Sequence, residues 1–259
     1  MEAIHLIKIG GAVISDPALR SDCLRDFSHV KGRKILVHGG GKVADFWLTK
    51  LGIEPQMIDG RRITDTDTMD VVTMTYAGLL NKQIVTELQK NGCAALGLSG
   101  ADGNVIQSKK RVHSTIDYGW VGDVEQVNDD LLHALLQSEL VPVLCPITHD
   151  VQGQLLNTNA DTIVTEIAIA LSGHYLVSLW LCMDLPGVLA DVNNPTSLVK
   201  ELTATLYQSL VETGAISSGM LPKIDNAYRA LNAGVKQVYI TNTSVLKDLD
   251  HPKGTLVCL

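Results

Sequence analysis

Short apolar runs alternate with amphipathic stretches along most of this chain. Runs suited to strands are Ile4–Ile9, Lys34–Val37, Cys93–Leu98, Leu140–Leu144, Tyr175–Leu181 and Gln237–Ile240. Several are apolar at consecutive positions, as strands covered on both faces must be. Helical spacing falls near residues 18–28, 41–51, 66–90, 129–138, 160–172, 203–213 and 223–233. The clearest case follows Asn159, where Ala160, Ile163, Val164, Ile167, Ala168 and Leu171 recur at i, i+3, i+4 spacing. Strand–helix alternation of this kind predicts an α/β fold with a mostly parallel sheet. Residues 100–128 break the rhythm. They hold Gly100, Gly103, Gly119 and Gly122 with polar strands between, and predict a β-hairpin beside the sheet. A helix ending on glycine at Ser172-Gly173 predicts a lobe boundary there, dividing residues 1–172 from 173–259.

Composition narrows the class. The chain has 259 residues, 46% hydrophobic and 19% charged, which reads as globular and well packed. A net charge of −7 with no long basic run argues against nucleic acid or an anionic membrane as partner. None of the five cysteines (Cys23, Cys93, Cys145, Cys182, Cys258) is spaced C-x-x-C, so no zinc or redox signature is present, and the odd count suits a reducing compartment. The strand-like run begins by Ala3, with no basic segment or cleavage signal ahead of it, and the chain reads as cytoplasmic. The longest apolar stretches, such as Leu176–Met183, are too short to span a bilayer.

Two lysines, far apart in the chain, stand beside small-residue loops. Lys8 ends an apolar run in Ile7-Lys8-Ile9-Gly10-Gly11, and Lys223 follows Gly219-Met220-Leu221-Pro222. Between them come His38-Gly39-Gly40-Gly41 and Asn157-Thr158-Asn159-Ala160-Asp161. Glycine lets backbone N–H groups approach an anion, and lysine brings a mobile positive charge. Taken singly, Lys8 could be a strand-end lysine before a turn, and Asn159 with Asp161 could be a helix cap and first-turn acid. Three consecutive glycines opening a helix exceed what a turn needs and favour an anion site. His38 itself reads as structural rather than as a base. Arg61-Arg62 precede a helix capped by Thr64 or Asp65; arginine is the natural fork for a carboxylate, though surface arginines are common. Asp65, Asp67 and Asp70 lack the glycine and glutamate of a calcium loop, so no metal site is expected there. A rival reading takes His38–Gly41 as an oxyanion hole and Ser99, in Gly97-Leu98-Ser99-Gly100-Ala101, as an esterase nucleophile. It leaves both lysines and the Asn/Asp cluster without a role. No G-x-x-x-x-G-K-[ST] occurs, so any nucleotide site is not a P-loop.

In this order the motifs resemble the amino acid kinase superfamily and, within it, the acetylglutamate kinases, over essentially the whole chain. The resemblance implies a three-layer αβα sandwich. It also implies phosphorylation of the γ-carboxylate of N-acetyl-L-glutamate by ATP, with Mg2+ bound through the phosphates, in arginine biosynthesis. Lys8 and Lys223 match the lysines that stabilise the phosphoryl group in flight, and Asp161 matches the aspartate that orients both. Gly10, Gly11, Gly40 and Gly41 match backbone donors around the phosphates, the last two on the substrate side. Arg62 and Asn157 match the residues that hold the acyl amino acid in the first lobe. In the second lobe, Asp184, Gly187, Val188 and Leu189 match one nucleotide segment, and Ser217, Gly219 and Met220 lie in the other, Ala215–Met220. Met183 stands where the family usually has Thr or Ser. A variant form acting on N-succinyl-L-glutamate looks similar around Arg61-Arg62 and His149-Asp150, and is the second substrate reading. Arginine-inhibited members carry a helix ahead of the first strand that links dimers into hexamers. With a strand from about Ala3, the resemblance implies a homodimer that arginine does not inhibit, with Met69, Val72, Met74 and Leu79 of the long helix at its interface.

Overall fold

The computed structural model describes residues 1–58, 60–191, 193–194, 196–216 and 219–259. Its strands are β1 (Glu2–Ile9), β2 (Arg33–His38), β3 (Met57–Ile58), β4 (Arg61–Arg62), β5 (Ala95–Leu98), β6 (Ile106–Lys110), β7 (Gly122–Val127), β8 (Val141–Leu144), β9 (Ile147–His149), β10 (Leu155–Asn157), β11 (Tyr175–Cys182), β12 (Glu201–Leu202), β13 (Gln237–Thr241) and β14 (Thr255–Val257). Its α-helices are α1 (Ala12–Ser15), α2 (Pro17–His29), α3 (Gly41–Lys50), α4 (Thr66–Thr73), α5 (Asn81–Lys90), α6 (Asp129–Gln137), α7 (Ala160–Leu171), α8 (Ala204–Glu212) and α9 (Leu221–Asn232). A π-helical segment, Met74–Leu80, joins α4 to α5.

Eight strands form one sheet in the order β12-β14-β13-β11-β1-β2-β8-β5, and only β13–β14 pair antiparallel among the described residues. The central strand shows why its sequence is a continuous apolar run. Ile4 and Leu6 point into a core shared with Leu132, Ile163, Ile167 and Ile224 of α6, α7 and α9. Ile7 and Ile9 point the other way, against Leu24, Phe27, Ala44 and Val72 of α2, α3 and α4. Period-two alternation thus feeds two cores, and each fully buried Ile or Leu contributes roughly 1.5–3 kcal/mol. Helices cover both faces, giving the three-layer arrangement. The sheet runs unbroken past Ser172-Gly173, since β11 pairs directly with β1 with Leu181 opposite Lys8.

Residues 100–128 do contain a hairpin, β6 with β7, which joins β9 and β10 in a separate four-stranded sheet. No helix among the described residues is long and apolar enough to cross a membrane.

The long helix departs from expectation in two ways. Met69 and Val72 are 3% and 0% exposed, inside the chain's own core, and so are not available to an interface; Met74 and Leu79 are 59% and 38% exposed. The helix is also not α throughout. Val72, Tyr76, Leu80, Ile84 and Leu88 recur every fourth residue, and all join one core. In a straight α-helix each such step drifts by roughly 40°, so four steps would turn the stripe by about 160°. The wider π turn takes up much of that drift and keeps the five on one side.

Candidate active site

Lys8 lies on the same face of β1 as Leu6 and Ile4, two and four residues back. That face looks toward the N-terminus of α7. There Asn159 caps the helix, its side-chain oxygen accepting from the N–H groups of Asp161 (2.8 Å) and Thr162 (3.2 Å). Asp161 is fixed in the first turn, buried, and faces two ammonium groups. Lys8 Nζ lies 2.9 Å from Oδ1 and Lys223 Nζ 2.5 Å from Oδ2. Lys223 arrives from the first turn of α9, whose start is set by Pro222. Burial alone would push the Asp161 carboxyl up; the charges of Lys8 and Lys223 and their hydrogen bonds outweigh it and hold it well below the usual carboxylate range. One carboxylate thus fixes two cations that still border open space.

Two glycine loops flank this cluster at the carboxyl ends of β1 and β2. They touch where the Gly39 N–H donates to Ile9 O at 2.8 Å. A Cβ on Gly10 would stand 2.9 Å from Lys8 Nζ, so the missing side chain is what lets the lysine fold over the loop. Gly11 takes φ 62°, in the left-handed region, and a Cβ there would strike the Asp184 carboxylate at 2.6 Å. That same carboxylate accepts from the Ala12 N–H at 3.0 Å. Asp184, at the head of the second-lobe segment, therefore reaches the first glycine loop. Gly40 precedes α3, and no side chain caps that helix, so its first-turn N–H groups have no side-chain acceptor.

His38 holds the second loop from beneath. It is fully buried; Nδ1 is 2.8 Å from Gly39 O and Nε2 is 3.2 Å from Asn81 Nδ2. A carbonyl on one side and an amide donor on the other fix the neutral tautomer with its hydrogen on Nδ1. Burial pushes the imidazole down to about 4 against a partial restoring effect of the Gly39 hydrogen bond. In the unfolded chain it titrates near 6.5. The unfolded state then binds more protons between the two values, so stability falls as pH drops from about 6.5 to about 4, by roughly 3 kcal/mol. The expected NMR result is a His38 ring that does not titrate above pH 5; a midpoint near 6.5 would contradict the buried assignment. The esterase reading finds no support: the Ser99 hydroxyl donates to Asp102 at 2.7 Å, and no histidine among the described residues is bonded to it.

The opposite wall carries Arg62. It is 6% exposed, donates from Nη1 to Asp45 Oδ1 at 2.6 Å and from Nη2 to Gly41 O at 3.3 Å. Asn157 Nδ2 donates to Thr64 Oγ1 at 3.0 Å, and Thr64 Oγ1 donates to the Arg62 carbonyl, so both expected substrate residues share one support. Asp65, not Thr64, caps α4. Lys8, Gly10, Gly11, Gly40, Gly41, Arg62, Asn157 and Asp161 line a single cleft of about 230 Å³, with Arg61 and Tyr76. Motif reading missed Tyr76, Asp45 and Asn81, which belong to no short motif. Outside this cleft stand Val188, whose side chain is buried in the core and whose N–H donates to Thr255 Oγ1 at 2.9 Å, and Leu189, buried beside it. A Cβ at Gly187 would meet Thr255 and Leu198 at 2.7 Å. Met220 is buried at the start of α9, beside exposed Gly219; Ser217 lies outside the described residues. One mixed group, Asp129, Asp130 and His174, offers ligand atoms within 4.8 Å of one another, at the opposite, amino end of the sheet.

Comparisons with known proteins agree with this geometry. Residues 4–242 match the Amino acid kinase family. The chain is 49% identical over 257 residues to the acetylglutamate kinase of Parabacteroides distasonis, covering 99% of this chain and 100% of that one. The crystal structure of smu.665 from Streptococcus mutans UA159 superposes with a TM-score of 0.79 at 28% identity, covering 98% of both chains. The carbamate kinase of Giardia lamblia, solved with AMP-PNP, shares the fold with a TM-score of 0.67 at 14% identity over 99% of this chain and 98% of that one. With its two glycine loops, its shared aspartate and a full-length relative at this identity, the chain belongs to the amino acid kinase family and, within it, to the acetylglutamate kinases.

Proposed function

We propose that this protein transfers the γ-phosphoryl group of ATP to the γ-carboxylate of N-acetyl-L-glutamate, a step of arginine biosynthesis in the cytoplasm. The observation that carries the reading is the Lys8–Asp161–Lys223 cluster set between two glycine loops. A carboxylate is already ionised at pH 7, so no general base is needed. The obstacle is bringing two anions together, and positioning with charge neutralisation is the main lever for phosphoryl transfer. Lys8 and Lys223 neutralise charge on the moving group, and Asp161 keeps both ammonium groups aimed. N–H groups at Gly10, Gly11, Gly40 and Gly41 hold phosphate and acyl-phosphate oxygens. Arg62 and Asn157 hold the acyl amino acid.

The only carboxylate lining the cleft among the described residues is Asp161, and both its oxygens face lysines. This suits a metal carried by the nucleotide phosphates rather than by protein ligands. Magnesium bound in that way supplies additional neutralisation of phosphate charge. Residues 173–259 receive the nucleotide through Asp184 and the 187–189 and 215–220 segments, with Asp184 joining that lobe to the first glycine loop. The protein acts as a homodimer, with exposed Met74 and Leu79 as apolar surface for it to cover.

The test is turnover of ATP with N-acetyl-L-glutamate, trapped as the hydroxamate, beside N-succinyl-L-glutamate. Preference for the acetyl substrate is expected, and no turnover of either would overturn the reading. In the same assay Arg62→Ala should raise KM for the acyl amino acid about tenfold to a hundredfold, the loss of one or two charged hydrogen bonds. KM for ATP should stay nearly constant; equal effects on both substrates would contradict the assignment of Arg62.

A further inference from the structure

Tyr76 is in the π segment, and the wider turn there keeps it in the stripe that faces the second glycine loop. Its ring is 96% buried and packs where Gly40 lacks a side chain: a Cβ on Gly40 would meet Tyr76 Cδ1 and Cε1 at 2.8 Å and Leu80 Cδ1 at 2.7 Å. The residue nonetheless lines the cleft beside Gly40, Gly41 and Arg62. Arg62, its guanidinium held by Asp45 and by the Gly41 carbonyl, lines the same cleft. Arginine offers only donors, so the phenol oxygen can meet Arg62 only as an acceptor. The hydroxyl hydrogen is bonded to no acceptor among the described residues and is left to the cleft.

A buried tyrosine hydroxyl ordinarily finds a partner. Here the open side of the group is the space into which Arg62 also faces. An acyl amino acid whose γ-carboxylate reacts at the lysines must present its other carboxylate elsewhere in the cleft. A cation and a neutral O–H donor side by side make a two-point site for that carboxylate. We infer that Tyr76 is a substrate-binding residue whose hydroxyl donates a hydrogen bond to the α-carboxylate of the acyl amino acid held by Arg62. The inference rests on the proposed activity and adds to it a contact from a segment that no motif marks. It also gives the π segment Met74–Leu80, which carries Tyr76, a part in the site.

The experiment uses Tyr76→Phe, which keeps the ring against Gly40 and removes only the hydroxyl. Wild type is assayed first with N-acetyl-L-glutamate; an inactive wild type overturns the activity reading itself. Given an active wild type, Tyr76→Phe should raise KM for N-acetyl-L-glutamate about tenfold, as expected for one hydrogen bond to a charged group. The calorimetric Kd for the same compound should rise in parallel. The kcat, KM for ATP and melting temperature should stay close to wild type. The penalty should shrink with the α-amide of N-acetyl-L-glutamate, which presents no carboxylate at that position. An unchanged KM, an undiminished penalty with the α-amide, or a joint loss of kcat, ATP affinity and melting temperature would overturn the inference.

Discussion

Lys8→Ala and Lys223→Ala are each expected to lower kcat by about two to three orders of magnitude while changing both KM values little. Each ammonium faces charge that builds up as the phosphoryl group moves, and removing one such donor typically costs about 3–4 kcal/mol of transition-state stabilisation. Lys8 is the more enclosed of the two, at 9% exposed, while the Lys223 side chain keeps 22% of its surface open. Lys8→Arg should not rescue, because a planar, forked guanidinium does not reproduce the compact ammonium that meets Asp161 Oδ1 at 2.9 Å. The double variant should lose less than the product of the single losses, since both lysines act on one phosphoryl group through one aspartate. Steady-state kinetics with each substrate varied in turn decides the matter. A single variant with near-normal kcat would mean that its lysine is misassigned.

Lys8 and Asp161 were legible because their chemistry is local. A strand that ends in Lys-x-Gly-Gly and a helix that begins Asn-x-Asp each declare a backbone geometry and a charge within a few residues. The continuous apolar runs likewise announce strands covered on both faces, and β1 serves two cores as that pattern requires. What the sequence hid depends on separation along the chain. Asp45 reaches Arg62 across 17 residues and Asn81 reaches His38 across 43, and neither partner carries a local signature. Met69 and Val72 look like interface residues on an isolated helix, and only packing shows that they face inward. The π segment did leave a trace. Five apolar residues at unbroken four-residue spacing drift steadily round an α-helix, and that drift marks the widened turn. Short strands such as β12 and β14 are only two and three residues long, too few to carry a period. Val188 and Leu189 were expected at a nucleotide; their side chains are buried, and the Val188 N–H and carbonyl are bonded to Thr255 and Val199.

Asp161→Asn is expected to yield a folded protein with kcat reduced by about three orders of magnitude and a lower melting temperature. Asparagine can still sit in the first turn of α7, where Asn159 supplies the cap, so the helix should form. What disappears is the one negative charge between two ammonium groups. Removing one partner from a buried ion cluster costs about 3–5 kcal/mol; the open side of the cleft lets water reach the lysines and favours the lower figure. The stability difference should also depend on pH in a stated direction. The folded-state carboxyl is held below the unfolded value of about 3.9, so its contribution is present above that pH. It is lost as pH falls through the folded value. Denaturant melts of wild type and variant should therefore differ at pH 7 and converge as pH drops below 4. A pH-independent gap, or a variant that unfolds while its remaining folded fraction turns over normally, would reduce Asp161 to a structural residue and separate it from the lysines it holds.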